Sequence, residues 1–217
     1  MKRSRILNWI LSVNWMAFIL AFSIAVPLLF RPFFYWHIKP MHLVEYSGFT
    51  ETEIKQAYDE MMDSCVFGKE FSTGVMKYSE SGKAHFADVT VLFRLDFIVL
   101  IVSTVILVIA RILSKKGIKP DYKIHTPRYN GSVLLLVVTV LLGFLCVIDF
   151  NKAFITFHHI FFPGKTNWIF DPYEDEIINV LPEEFFRNCA ILIALVMIGL
   201  CAFFIISENR KLRKGNV

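Results

Sequence analysis

The sequence predicts an all-α integral membrane protein with four transmembrane helices, and three observations carry the prediction. Four long runs are apolar and nearly uncharged, mean hydropathy is +0.53, and basic and acidic residues fall in alternating segments. With 55% hydrophobic and 15% aromatic residues, 22 of the 217 being Phe, a soluble enzyme is excluded. Only 19% of residues are charged, which excludes a disordered chain. The whole chain, 1–217, is read as a single membrane domain.

The first span is expected at about 6–30. Its 25 uncharged residues from Ile6 to Phe30, at 1.5 Å per residue, exceed the roughly 30 Å hydrocarbon layer. Lys2, Arg3 and Arg5 precede it as they would precede a signal peptide. The run is nevertheless too long for a signal h-region, and Arg31-Pro32 follows where small residues would mark cleavage. The other spans are expected at about 89–113, 132–148 and 189–207, all rich in Leu, Ile and Val.

Charge orients the spans. The N-terminus, the 111–131 segment and the C-terminal tail hold thirteen basic and two acidic residues, whereas 31–88 and 149–187 hold nine basic and sixteen acidic. The positive-inside rule therefore puts both termini and the 114–131 loop in the cytoplasm, with 31–88 and 149–187 extracytoplasmic. The net charge of +4 is a sum over two opposite faces and does not imply nucleic acid. Basic inner ends favour anionic phospholipid.

Both outer segments are expected to contain short helices. Thr50 and Glu53 form a capping box, and Ile54, Tyr58, Met61, Met62 and Cys65 follow at helical spacing, which predicts an amphipathic helix over 50–65. A second helix is predicted over 172–181, with Asp171 as its cap, Pro172 in its first turn and Ile177, Ile178 and Leu181 on one face. Pro182 ends that helix and can enter the first turn of the last span.

Five of the six histidines, His37, His42, His85, His158 and His159, lie in or beside the outer segments; His125 alone is in the inner loop. Histidine transfers protons near neutral pH, so this one-sided distribution points to an acid–base site at the outer face. His85 and Asp88 share a helix face three residues apart, where the carboxylate can orient the ring. His158 and His159 diverge by about 100° on a helix, so only one can face a given target. Trp168, Phe161, Phe162 and Phe170 fit an aromatic belt at the lipid interface, or a lipid-chain groove. Within the second span, Asp96 should face the protein interior while Arg94 snorkels to the head groups.

Cys65, Cys146, Cys189 and Cys201 form no disulfide framework and no CxxC pair. G-x-S-x-G, H-E-x-x-H and Gly-rich phosphate loops are absent, which argues against an acyl-enzyme. A metal site built from His37, His42, His85, His158 and carboxylates needs no linear motif and stays open at this point. It would make the chain a metal-binding accessory protein. A small transporter or sensor subunit is the other alternative, favoured by Asp96 and disfavoured by the lack of paired Gly/Pro-interrupted helices.

Three stretches carry a family resemblance. These are Phe-Thr-Glu-Thr-Glu-Ile54, His85-Phe-Ala-Asp88-Val, and Phe157-His158…Ile160-Phe161-Phe162…Trp168…Asp171-Pro172…Leu181-Pro182-x-x-Phe185-Phe186. In this combination the chain resembles the four-helix membrane family of lipoprotein intramolecular transacylases, over essentially its whole length. The resemblance implies an O-to-N acyltransferase of Gram-positive bacteria. Such an enzyme moves the sn-2 acyl chain of a diacylglyceryl-modified N-terminal cysteine to the cysteine's own α-amine, leaving a lyso-form lipoprotein. It implies an outer-leaflet active site in the cell membrane, with diacylglyceryl lipoproteins as partners beside membrane phospholipid. No cofactor and no metal are expected, and the chain is expected to be a monomer. His85, oriented by Asp88, is then the expected base and His158 the acid or oxyanion donor, an order that can be reversed. Trp168, Asp171, His159 and Phe161 are candidates for substrate binding.

Overall fold

The computed structural model describes residues 3–122 and 125–215. Lys2 and Lys123, counted above among the basic residues, lie outside them. Among the described residues eight α-helices follow in order: α1 Arg5–Leu29, α2 Pro32–Ile38, α3 Leu43–Ser47, α4 Glu51–Phe67, α5 Glu80–Lys115, α6 Pro127–Ile148, α7 Phe150–Phe161 and α8 Glu183–Gly215. A two-residue parallel bridge joins Arg3–Ser4 to Lys119–Pro120 and does not alter the all-α class. Helices α1, α5, α6 and α8 are long and apolar enough to cross a membrane. Side chains such as Ile98, Ile101, Val105 and Ile112 are exposed along α5, as a lipid-facing surface requires.

The second and third spanning helices begin ahead of their apolar runs because capping chemistry sets helix starts. Ser79 starts α5 ahead of the expected span: its Oγ accepts from Gly82 N at 2.9 Å and its carbonyl from Lys83 N at 3.0 Å. Thr126 starts α6 with Pro127 behind it, accepting at its carbonyl from Asn130 N at 3.1 Å. The α6 helix ends at Ile148, where extended Asp149 (φ −156°) breaks the path and caps α7 through a 2.9 Å bond from Lys152 N.

The helix expected over 172–181 is replaced by a turn and a short 3₁₀ helix, Glu176–Val180. Asp171 accepts at Oδ1 from Tyr173 N and at its carbonyl from Asp175 N, which closes a turn. Glu176 N is drawn to Lys77 O at 3.1 Å, so an α-helical ladder is not completed. The apolar face survives the change, with Ile177, Val180 and Leu181 buried.

Two compact units divide the chain. One comprises Met1–Ala25, Asp96–Leu145 and Leu192–Val217; the other comprises Val26–Leu95 and Cys146–Ile191. In the first unit Ile19, Leu135 and Cys201 are the buried centre, flanked by Met16, Phe18 and Met197. Several of its polar groups are paired: Ser23 and Thr139 donate to the carbonyls four residues earlier, and Asn14 Nδ2 donates to Ser103 O of α5 at 3.1 Å. Buried Glu208 accepts from Thr126 N at 2.8 Å and from its hydroxyl. Asp96 is half-buried, and its Oδ2 has no hydrogen-bond partner among the described residues.

The second unit has the larger core. Helix α4 buries Ile54, Ala57, Tyr58, Met61, Met62 and Cys65, the expected stripe, and both bonds of the Thr50–Glu53 capping box form. Its partners are Phe34 and Ile38 of α2, Leu43 of α3, and Ile177, Val180 and Phe185. Phe34 stacks on Tyr58 at 3.9 Å. Burial of each such large side chain is worth about 1.5–3 kcal/mol. Arg31 bonds Asp59 and Asp63, and Tyr35 donates to Asp59, which joins the start of α2 to the polar edge of α4. Arg94 has its guanidinium beside Gly68, the left-handed C-cap of α4, where a cation suits the helix's carbonyl end.

Gly131 marks the tightest approach in the first unit. A Cβ there would lie 2.3 Å from Ser12 O and 3.1 Å from Met16 N, both backbone atoms of α1. Gly131→Ala is expected to cost about 1–3 kcal/mol by overpacking, read as a lower thermal unfolding midpoint. Gly143→Ala in the same helix meets nothing within 4 Å and should leave the midpoint unchanged or slightly higher.

Candidate active site

The second unit brings His85 and His158 together. His85 lies on α5 six residues after Ser79, and His158 near the end of α7; their ring centroids are 5.9 Å apart with planes inclined by 30°. Both are buried, at 5% and 7% exposure, which is unusual for histidine and means that their polar atoms need partners. His85 packs edge-on against Phe162 (5.0 Å) and Phe170 (5.4 Å). His158 lies against Phe154 (4.3 Å) and Trp168 (4.6 Å).

Hydrogen bonding gives the two rings different states. Nδ1 of His158 is 2.8 Å from Phe154 O. A carbonyl only accepts, so Nδ1 carries the proton, and in the neutral ring Nε2 holds the lone pair. Burial pushes the His158 pKa below the ordinary value, the Phe154 carbonyl partly opposes this, and the neighbouring His159 adds to it. Nδ1 of His85 is buried without a hydrogen-bond partner among the described residues. One ring is therefore held as the Nδ1–H tautomer, while the other has a buried nitrogen without a partner among the described residues.

Asp88 is one turn from His85, but its hydrogen bonds run elsewhere. One carboxylate oxygen accepts from Lys165 Nζ and the other from Asn167 Nδ2 at 3.0 Å. The expected carboxylate–imidazole pairing is thus not formed as a hydrogen bond; the carboxylate is turned instead toward two donors from the 163–170 turn. The turn itself is compact: Gly164 takes φ +74°, Lys165 N bonds Phe162 O, and Trp168 Nε1 donates to Lys165 O at 3.1 Å. It places Trp168 on His158 and also within 5.9 Å of His159. His159 is exposed, as expected if only one of the adjacent pair faces inward. Phe161 is half-exposed against Phe157 at 4.6 Å, and Asp171 closes the turn described above.

His37 bonds Phe33 O at Nδ1 and packs on Phe33 and Phe185, and His42 takes a left-handed φ of 51° ahead of α3. Among the described residues no group of three or more His, Cys, Asp or Glu could hold a metal ion. A cavity in the other unit, lined by residues including Arg5, Trp9, Tyr122 and His125, contains neither of the paired histidines. Lys165 and Asn167 were not anticipated. Their only signal in the sequence is polarity inside an otherwise aromatic stretch, Phe161 to Phe170.

The family model of the lipoprotein intramolecular transacylase Lit matches residues 9–186. The chain belongs to the Lit family. It is an integral membrane acyltransferase acting on lipoproteins. Its fold is similar to the in meso structure of the membrane integral Lit from Bacillus cereus, with a TM-score of 0.86 and 26% identity over 98% of this chain and 96% of that one. Two variants of that Bacillus cereus protein, with a histidine replaced by alanine or by arginine, are similar at TM-scores of 0.81 and 0.78. Their identities are 25% and 26%, covering 98% and 97% of this chain and 94% and 92% of theirs. None of the curated proteins compared matches the chain.

Because burial opposes the charged ring, His158 should titrate below about 6.5, the ordinary imidazole value. The ring then stays neutral at neutral pH, and its burial favours the folded state above about pH 6.5 but progressively less as pH falls below. Nitrogen NMR of histidine-labelled protein in nanodiscs, with His158→Gln to assign the signal, checks this; a midpoint at or above 6.5 contradicts it.

Proposed function

We propose that this Lit-family enzyme moves the sn-2 acyl chain of a diacylglyceryl-modified N-terminal cysteine to the cysteine α-amine, using His85 and His158 as its acid–base pair. The observation that carries the reading is the buried pair of imidazoles, one with its tautomer pinned by Phe154. Donor and acceptor of the acyl chain are parts of one substrate molecule, so the enzyme supplies proximity and proton transfer and needs no nucleophile of its own.

The α-amine, with an ordinary pKa of about 7.7–8.0, must lose a proton to attack the ester carbonyl carbon. Sequence spacing suggests His85 for that task; the Phe154 bond favours the reverse order. Neutral His158 accepts the amine proton at Nε2, and the imidazolium that forms keeps its Nδ1–H bond to Phe154 O. The tetrahedral intermediate collapses with cleavage of the bond between the acyl carbon and the glyceryl oxygen, and His85 donates a proton to the departing oxygen. Starting from the ammonium, nitrogen gives up two protons, one lost to solvent before attack and one to His158 Nε2 as the carbon–nitrogen bond forms; that second proton, passed from His158 to His85, is the one delivered to the glyceryl oxygen, so both rings end neutral as they began. Trp168 and Phe161 are placed among the aromatic rings suited to the lipid chains. His159 and Asp171 stay second to them, exposed beside Trp168 and engaged in a turn respectively.

Segregated charge supports a site on the extracytoplasmic side, with both termini inside and the lipoprotein presented from the outer leaflet. A monomer suffices, since every group invoked comes from one chain.

Expression in a bacterium that makes diacylglyceryl lipoproteins, followed by tandem mass spectrometry of the lipoprotein's N-terminal peptide, tests the reading. The wild type should move one acyl chain from glycerol to nitrogen at constant mass. His85→Ala and His158→Ala should each lower turnover at least about a hundredfold. Unchanged activity in either variant at wild-type membrane levels removes that residue's role, and an unmodified amine beside well-expressed wild type removes the reaction.

A further inference from the structure

A second buried polar atom without a partner among the described residues lies on the turn whose rings pack against the histidine pair. Asn167 Oδ1 is buried and has no hydrogen-bond partner among the described residues, like His85 Nδ1. In an isolated amide the oxygen and nitrogen positions could be exchanged, but here the network decides between them. Asn167 contacts Asp88 Oδ2, and an ionised carboxylate only accepts, so the contacting group must be the NH₂. Lys165 engages the other oxygen of Asp88 and holds the carboxylate in place. The carbonyl Oδ1 is therefore the end left without a donor.

The turn that carries that oxygen packs against both candidate rings, Phe170 on His85 and Trp168 on His158. Asp88 is one turn along α5 from His85, and the residue after Asn167 is Trp168, whose ring lies 4.6 Å from that of His158. A buried carbonyl without a donor costs about 1–3 kcal/mol, so a site that keeps one offers it to a ligand's N–H or O–H. A neutral carbonyl is also better suited than a carboxylate to a nucleophilic amine. It orients N–H groups without locking the nitrogen in its ammonium form.

We infer that Asn167 Oδ1, oriented by Asp88, is the subsite for a primary amine, the group that receives the acyl chain. The inference rests on the transacylase reading for the identity of that amine and extends it with a substrate-binding residue. Lys165 and Asp88 act through Asn167 as positioning residues. Asp88 would thus serve the reaction by aiming an amide, without a hydrogen bond to an imidazole.

The test uses the full chain in nanodiscs and two non-reactive probes, a lipopeptide with both glyceryl chains ether-linked and a free α-amine, and the same compound with the amine replaced by hydrogen. Wild type should bind the amine probe at least about tenfold more tightly, equivalent to about 1.4 kcal/mol. Asn167→Leu should bring the ratio close to one. Asp88→Asn, which frees the amide to turn, should lower it several-fold, and this variant decides the matter if Asn167→Leu does not fold. A wild-type ratio near one overturns the inference, meaning that the carbonyl holds an ordered water only; so does a tenfold ratio retained in folded Asn167→Leu. Mass spectrometry on the ester-linked lipopeptide runs in parallel. Acyl transfer by wild type with no amine preference defeats the subsite alone, whereas amine preference without transfer defeats the reaction and leaves the subsite standing.

Discussion

Two carboxylates tie the returning chain to the first turns of α5, and the geometry of the site depends on them. Asp175, 4% exposed, accepts from Ser79 N and Ser79 Oγ, each at 2.8 Å. Asp88, further along the helix, accepts from Lys165 and Asn167. Burying a carboxylate is unfavourable by several kcal/mol unless hydrogen bonds replace its water. Asp175 is therefore stable only where its donors meet it, half-buried Asp88 adds a second tether, and the stretch between the two is held against the helix that carries His85. Gly82 belongs to the same arrangement: a Cβ there would lie 2.1 Å from Asp175 Oδ1, so the carboxylate occupies the space a side chain would need.

The aromatic cage then differentiates two chemically identical rings. His85 lies among Phe rings and His158 among Phe rings and Trp168, yet the helical carbonyl of Phe154 bonds only His158. A backbone carbonyl four residues earlier is an economical way to define a tautomer, since it needs no further side chain. Pairs of titratable groups separated in this way recur where acid and base must act in one reaction. The absence of a Ser or Cys nucleophile motif fits a reaction whose two halves are joined in one substrate.

The membrane helices separate two properties that hydropathy alone conflates. Apolar length reflects the thickness to be crossed, and helix length reflects where caps are found. Helix α5 carries His85 and Asp88 on turns that precede the apolar run, so one helix holds both these side chains and a lipid-facing surface. The second unit gains its core from aromatic and methionine side chains of α2, α4 and the 176–186 stretch. Small residues instead permit close backbone approach in the first unit, where lipid provides no hydrophobic drive between helices.

Local signals were legible in the sequence. The four apolar runs, the Thr50–Glu53 box and the α4 stripe each involve residues a few positions apart, so spacing alone determines them. His85 and His158 were identified as a pair by residue type and by family resemblance, since imidazole chemistry is carried by the side chain itself. Contacts between distant segments were decided only by the tertiary structure. Asp88 finds donors 77 and 79 residues away, and Asp175 finds Ser79 at a separation of 96. The same long-range bonds explain why 172–181 forms no α-helix: Asp171, Pro172 and the apolar spacing favour one locally, but Glu176 N and the Asp175 carboxylate are engaged by 77–79. Sequence determined which chemical groups are available and which faces are apolar; tertiary structure decided which donor meets which acceptor, because a hydrogen bond depends on distances that chain order does not encode.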